Sequence, residues 1–334
     1  MTMQIRPATP QDKPAMIELL KKSLGEGLIP KSEALWDWKH EQNPFGASFV
    51  LLAEENGALI GLRAFMQWQW RWNNTVYKAI RAVDTATHPD HQGKGIFKKL
   101  TLQQLELCKQ QGIHFVFNTP NDQSRPGYLK MGWVQQGRMP LKLKVLNPVA
   151  LAFALAFKKG KTSPDAEDPT PAQSWDPKVF ELMDNYESNT PHINSALSAS
   201  YIRWRYADNP LFRYNYFTDF ENFLLIGRIK SHSFTRELRL VDCMLFNNAS
   251  SNRRISSRIS KAILPYCKKN QIRVISFSGQ QYQSHRSALG FMGMIPVQDR
   301  GPIVTLRDLN MNEQFPKLLD IKNWGYSLGD MELF

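Results

Sequence analysis

The spacing of apolar and polar positions changes period several times along the chain, and each change marks an element. Ile5-Arg6-Pro7 is short and extended. Thr9-Pro10-Gln11-Asp12 follows with an N-cap, an early proline and an acid three residues on, which predicts a helix through Ala15 to Leu20. Phe49 to Ala53 is an apolar run closed by the hairpin turn signal Asn56-Gly57. Ala58 to Trp72 alternates as one long strand, Asn73-Asn74 turns, and Thr75 to Thr87 returns, giving a three-strand antiparallel meander. His88-Pro89-Asp90 breaks the last strand, and Gly93-Lys94-Gly95 makes a tight loop. Ile96, Phe97, Leu100, Leu107 and Cys108 then share one helical arc of roughly 120°. Gly112 is a natural C-cap, Ile113 to Phe117 an apolar strand, Ser124 to Met131 a short helix, and Gly132-Trp133 opens a last strand. The order predicts an α+β fold, sandwich-like, whose mostly antiparallel sheet gains one parallel pair from a strand–helix–strand crossover.

The chain also repeats itself. Arg81-Ala82-Val83-Asp84-Thr85 matches Arg239-Leu240-Val241-Asp242-Cys243 at a spacing of 158 residues. The same spacing aligns Phe115-Val116-Phe117-Asn118 with Arg273-Val274-Ile275-Ser276, and Met131-Gly132-Trp133 with Leu289-Gly290-Phe291. Upstream, Trp38 to Pro44 resembles Trp204 to Pro210 at a spacing of 166. Four landmarks in one order predict two tandem copies of one fold. The expected division is a first domain over 1–145, a connecting helix and linker over 146–178, and a second domain over 179–334. The stretch 158–178, rich in Lys, Pro, Asp and Thr, is the linker signal. Leu141 to Lys161 reads as a connecting helix packed between the copies, with attachment to a membrane surface as the alternative. The glycine loop falls opposite Ala249-Ser250-Ser251-Asn252-Arg253, where no glycine survives. Only the first copy is therefore expected to bind a nucleotide cofactor.

Composition narrows the partners. With 42% hydrophobic and 22% charged residues the chain is globular, not disordered or fibrous. No apolar run reaches the ~18–20 residues of a membrane-spanning helix, and the first dozen residues carry no secretory pattern. Three cysteines without close spacing argue against a disulfide framework or a structural metal site. A cytoplasmic protein without a metal is expected. The net charge is +12 in 334 residues, with 19 Lys/Arg against 12 Asp/Glu, or +7, in the first 150. The charge is spread along the chain, which suits a polyanionic small molecule better than nucleic acid.

The chemistry concentrates in Asp84 to Phe97. A strand ends, glycines make a loop and a helix begins, so unpaired backbone N–H groups and the positive end of the helix dipole face one spot. Glycines allow close approach of a phosphate, and Lys94, Lys98 and Lys99 add charge. The plain alternative is a tight turn. Neither the Walker loop nor the dinucleotide GxGxxG pattern is present.

These residues resemble the GNAT superfamily of acyl-CoA-dependent acyltransferases, whose signature is [RQ]-x-x-G-x-[GA]. Gln92-Gly93-Lys94-Gly95-Ile96-Phe97 matches at Gln92 and Gly95 and departs at Phe97. Tyr128, four residues before Gly132-Trp133, and Ser124 ahead of it match a second family element, and Ile5 to Ala8 looks like the usual first strand. The resemblance spans about 3–145, with an eroded version over roughly 200–306.

The resemblance implies acetyl-CoA as donor and an amine, on a small molecule or peptide, as acceptor. Its pantetheine arm would run between strands holding Thr85, Ala86, Thr87 and Asn118. Its diphosphate would sit on His91, Gln92, Gly93, Lys94, Gly95, Ile96 and Phe97. It gives Tyr128 the role of general acid, against the alternative of a packed tyrosine. Asp84 is the base candidate by position, although Asp242 persists in the copy without the loop, as a structural residue would. Trp36, Trp68 and Trp70 form either an acceptor wall or core; Trp68, Trp70 and Trp72 share one strand face. A monomer or dimer is expected, since an internal pair can replace a homodimer. The alternative function is a pseudoenzyme that binds acyl-CoA or a protein partner.

Overall fold

The computed structural model describes residues 3–25, 27, 29–156, 173–184, 186, 191–246 and 253–331. In the first part of the chain β1 (Gln4–Pro7), α1 (Lys13–Leu24) and α2 (Glu33–Trp36) lead into a π-turn at Asp37–Glu41. The meander follows as β2 (Phe49–Glu55), β3 (Ala58–Trp72) and β4 (Thr75–Thr87). Next come α3 (Ile96–Gln110), β5 (Phe115–Asn118), α4 (Arg125–Lys130), β6 (Val134–Arg138), β7 (Leu141–Val145) and α5 (Pro148–Ala156). The second part holds α6 (Pro177–Asp184), β8 (Asn194–Ser195), α7 (Ala199–Ile202) and a second π-turn at Arg203–Ala207. It continues through β9 (Asn215–Thr218), β10 (Phe223–His232), β11 (Thr235–Leu245), α8 (Arg253–Lys269), β12 (Ile272–Ser278), β13 (Ile295–Val297) and β14 (Ile303–Asp308).

The chain forms two compact units that are not contiguous in sequence: Met1–Gly137 with Ile303–Asn323, and Arg138–Pro302 with Trp324–Phe334. The first sheet runs β1-β2-β3-β4-β5-β14-β6 and the second β13-β7-β12-β11-β10-β9. In each, one internal pair is parallel, β4 with β5 and β11 with β12. The strand beside β5 is thus β14, antiparallel from Asn118↔Thr305 to Phe115↔Asp308. The strand beside β12 is β7, antiparallel from Val274↔Val145 to Ser278↔Leu141. Each copy of the fold donates one strand and receives one. The expected first domain reached 145, but β7 is hydrogen-bonded in the second unit and β14 in the first. The stretch Leu141 to Lys161 is accordingly not one helix. Leu-Lys-Leu-Lys-Val has the period of a strand, and α5 starts only at Pro148. Residues 158–172 of the expected linker, and Ala249 to Asn252, lie outside the described residues.

The meander forms where its turns require it: Asn56 and Gly57 both take positive φ (54° and 75°), as does Asn73 (51°). Helix α3 buries Ile96, Leu100, Leu105 and Cys108 in the first unit's core. A Cβ on Gly61 of β3 would come within 2.6 Å of Ile96 Cγ2, so this glycine sets how closely α3 lies on the sheet. Full burial of a side chain such as Leu100 stabilises by about 1.5–3 kcal/mol. In the second unit α8 does the same with Ile255, Ile259, Ile263 and Cys267.

Candidate functional site

Strands β4 and β5 pair only at Ala79↔Phe115, Ile80↔Val116 and Arg81↔Phe117. Beyond Arg81, β4 runs on to Thr87 while β5 stops at Asn118, so the two part company at the end where the glycine loop begins. On its far side β4 stays bonded to β3, but with a bulge: Arg63 faces Thr85 and Phe65 faces Ala82. The extra residue at Val83-Asp84 twists the strand as it opens. Past Thr87 a short 3-10 turn, Pro89–His91, leads to Gly93 and Gly95 at φ 77° and 75°. A Cβ at either glycine would meet nothing within 4 Å. Left-handed backbone, not crowding, is what demands glycine there, and open space lies in front of α3. The first helical bond is Lys99 N–H to Gly95 carbonyl, which leaves the amides of Ile96, Phe97 and Lys98 without an intrahelical acceptor. Around the loop Lys94 Nζ lies 3.5 Å from His91 Nδ1, and His91 Nδ1 lies 3.5 Å from Glu55 Oε2.

Phe97, where the signature has a small residue, turns away from the loop. Its ring meets Tyr128 edge-on at 5.7 Å. Tyr128 lies in α4, between Phe97 and Trp133 (5.0 Å), and is 6% exposed. Arg63 Nη1 donates to Tyr128 Oη at 3.0 Å and also to Thr85 Oγ1. One guanidinium nitrogen therefore ties the phenol to the open segment of β4. Because Oη already accepts, its own proton is left for another acceptor.

The remaining expected residues are placed as follows. Ala86 is buried and Thr87 half-buried on the open segment. Gln92 Nε2 reaches the Thr87 carbonyl at 3.5 Å. Asn118 Oδ1 accepts from Thr305 Oγ1, so this side chain fastens β5 to β14. Ser124 Oγ donates to Asn121 Oδ1 at 2.9 Å, shaping the turn before α4. Trp68 and Trp70 are buried at 1% and 0% exposure and pack against Phe117 at 5.9 and 5.2 Å; Trp36 lies 4.0 Å from His40. Of the two readings of these rings, the packing is that of core.

Asp84 is also bound inside the unit. Its Oδ2 takes Lys39 Nζ at 2.6 Å and His40 Nε2 at 2.9 Å, both from the first π-turn. Burial alone would raise its carboxyl, but Lys39 and His40 outweigh burial and hold it well below the usual carboxylate range. Burial pushes His40 down, against Asp84, and its Nδ1 meets Ser48 Oγ at 2.9 Å. The second unit builds the same clasp from other residues: Tyr206, on its π-turn, donates to Asp242 Oδ2 at 2.7 Å, again beside a bulge at Ile226/Gly227. A clasp present in both copies pins the π-turn to the sheet. A carboxylate this far below neutral pH, with Oδ2 shared by a lysine and a histidine, is a poor base. Asp84→Asn leaves the buried Lys39 without a counter-charge and is expected to cost about 3 kcal/mol, read as a lower urea midpoint. The native contribution is present above the ordinary carboxyl range and is lost as pH falls through the depressed native value, so the variant flattens the acid limb of stability against pH. An unchanged midpoint would refute the clasp.

The second unit closes the splay that the first leaves open. There β11 and β12 pair from Arg236↔Ile272 to Leu240↔Phe277. Val241, 158 residues after Val83, then accepts at its carbonyl from Gly329 N–H at 3.0 Å. Gln281 N–H donates to the Tyr326 carbonyl at 3.2 Å. Arg205 holds the same segment through Nε to the Gly329 carbonyl (2.9 Å) and Nη2 to the Met331 carbonyl (2.5 Å). Gly329 thus takes a strand-edge carbonyl of β11, whose counterpart on β4, the Val83 carbonyl, accepts from the Thr85 hydroxyl at 3.1 Å.

Among the described residues no cluster of three or more His, Cys, Asp or Glu is arranged to hold a metal, and no helix is long and apolar enough to cross a membrane. Residues 4–135 match the family model described as acetyltransferase (GNAT) domain. The L-amino acid N-acyltransferase MnaT of Escherichia coli (strain K12) is 29% identical over 123 residues, covering 35% of this chain and 69% of that protein. A solved structure of a conserved protein from Enterococcus faecalis V583 superposes with TM-score 0.64 at 11% identity, over 93% of this chain and 73% of that one. A GCN5-related N-acetyltransferase from Anabaena variabilis ATCC 29413 gives 0.63 at 13% identity, over 93% and 74%. At these identities the two structures show a shared fold.

Proposed function

We propose that the chain, whose residues 4–135 match the GNAT acetyltransferase domain, is an N-acyltransferase that moves an acetyl group from acetyl-CoA to the amine of an L-amino acid or similar small acceptor. The similarity to an L-amino acid N-acyltransferase supports the acceptor class. The observation that carries the reading is the open edge of β4 beyond Arg81, leading to a glycine-capped helix start with unused amides.

The residues suit the donor. The amides of Ile96 to Lys98 and the dipole of the 15-residue α3 would hold a diphosphate, with Lys94 nearby. The open backbone at 83–86 would pair with pantetheine amides as an added strand does. Acyl-CoA, when bound, supplies an activated thioester. Tyr128 holds its phenolic proton at Oη for the departing sulfur, and Phe97 and Trp133 keep water from the ring. Water takes the proton from the amine, since Asp84 is occupied by Lys39 and His40. The first unit carries this chemistry. The second has its equivalent edge covered by residues 324–331 and serves as structure.

Release of free thiol from acetyl-CoA in the presence of a panel of L-amino acids tests the assignment. Tyr128→Phe is expected to lower kcat 10–100-fold while the affinity for acetyl-CoA stays within twofold. Wild-type turnover in that variant would remove Tyr128 from the mechanism, and no thiol release with any amine would overturn the activity.

A further inference from the structure

Arg63 is a charge in the middle of an apolar strand, and nothing in the family signature calls for it. It is 0% exposed. Its Nη1 bonds Thr85 Oγ1 and Tyr128 Oη, while Nε and Nη2 have no partner among the described residues. No carboxylate pairs with it there. Instead three aromatic faces surround the guanidinium carbon, Phe65 at 4.4 Å, Tyr128 at 5.5 Å and Phe97 at 5.7 Å. Burying a cation without a counter-ion is costly, and ring quadrupoles return only part of that cost. A fold that keeps such a group has a use for the field it makes.

We infer that Arg63 is a positioning residue for the acyl-transfer step, holding Tyr128 Oη in place and stabilising the negative charge that develops there. The inference rests on the reading of Tyr128 as acid. During transfer the amine nitrogen bonds to the acyl carbon, and the C–S bond breaks with its electron pair going to sulfur. The phenolic proton crosses to sulfur, leaving a phenolate. The surplus proton on the new amide nitrogen returns to that phenolate through water, so atoms and charge balance over the cycle. At the moment of proton transfer the charge on Oη lies 3.0 Å from a guanidinium nitrogen that is already oriented. A charge-assisted hydrogen bond strengthens as its acceptor becomes an anion, which is stabilisation confined to the transition state and after. Phe97, standing where the signature has a small residue, closes the aromatic box around the cation at 5.7 Å.

The test is a double-mutant cycle on the full chain, with acetyl-CoA and the fastest L-amino acid of the panel, or hydroxylamine if no amino acid turns over. Arg63→Gln is expected to lower kcat at least tenfold, with KM for acetyl-CoA within twofold. In a Tyr128→Phe background the same change should alter kcat less than twofold, because the group it acts through is gone. Arg63→Lys should recover part of the loss. A purely structural arginine would give the same loss in both backgrounds, and that result, or wild-type kcat in Arg63→Gln, would overturn the inference. If Arg63→Gln fails to fold by circular dichroism, the cycle is run with Arg63→Lys under the same criterion. A slow Tyr128→Phe with additive Arg63 losses sinks this inference alone; a fast Tyr128→Phe sinks the acid role first.

Discussion

Gly95→Glu is expected to weaken binding of coenzyme A at least 100-fold and to leave the fold intact. Gly95 sits at φ 75° at the start of α3, where a Cβ meets nothing within 4 Å. Adding a side chain therefore causes no clash and costs only the left-handed backbone, about 1–2 kcal/mol. A carboxylate near a helix N-terminus even favours the helix. It also places a negative charge where the diphosphate would lie, next to amides otherwise free to bind it. At an effective dielectric constant near 20, two unit charges ~4 Å apart repel by about 4 kcal/mol, close to a thousandfold in affinity. Gly95→Ala separates the two contributions, because it carries the backbone cost without the charge and should lose no more than about tenfold. Titration calorimetry with coenzyme A reads both variants, and far-UV circular dichroism verifies the fold. Binding of Gly95→Glu within fivefold of wild type would mean that the diphosphate lies elsewhere.

The largest loss of stability is expected from Gly279→Ala in the second unit. Gly279 has φ 125°, a region closed to residues with a Cβ, and that Cβ would lie 2.1 Å from the Tyr326 carbonyl oxygen. The neighbour is backbone, held by the Gln281 amide, and cannot rotate away. Either β12 or the 324–331 segment must move. The second course breaks the bonds of Gly329 to Val241 and of Arg205 to Gly329 and Met331, stranding a fully buried guanidinium. We expect at least 4 kcal/mol, seen as a lower urea midpoint. Because the first unit holds the proposed site, turnover by the protein that remains folded should match wild type. A midpoint unchanged from wild type would show that residues 324–331 do not cover this strand edge.

Much of the first unit is legible in the sequence. The meander boundaries follow from alternation between Asn-Gly and Asn-Asn turns, and α3 from its apolar arc. The glycine loop and the Tyr128–Gly132–Trp133 spacing are legible because both are short-range patterns. Arg63 was missed, although a signal existed: a single charge in Gly61-Leu62-Arg63-Ala64-Phe65 asks what it pairs with. Position makes Asp84 a base candidate and the repeated Asp242 points to structure; its partners Lys39 and His40 lie 45 and 44 residues away, where no local pattern shows them. The tryptophans alternate identically whether a strand face meets solvent, substrate or Phe117, so periodicity left the choice open.

By itself the sequence determined the meander, α3, β5 and α4, the internal repeat and the loss of the glycine loop in its second half, because propensity, turns and periodicity act over a few residues; it misread β7 as helix. Tertiary structure alone decided which sheet receives β7 and β14, what fills the second splay, and what Asp84 and Arg63 touch. An amphipathic strand fits any sheet edge of matching pattern, and a buried charge is defined by its neighbours; both depend on contacts between segments far apart in the chain.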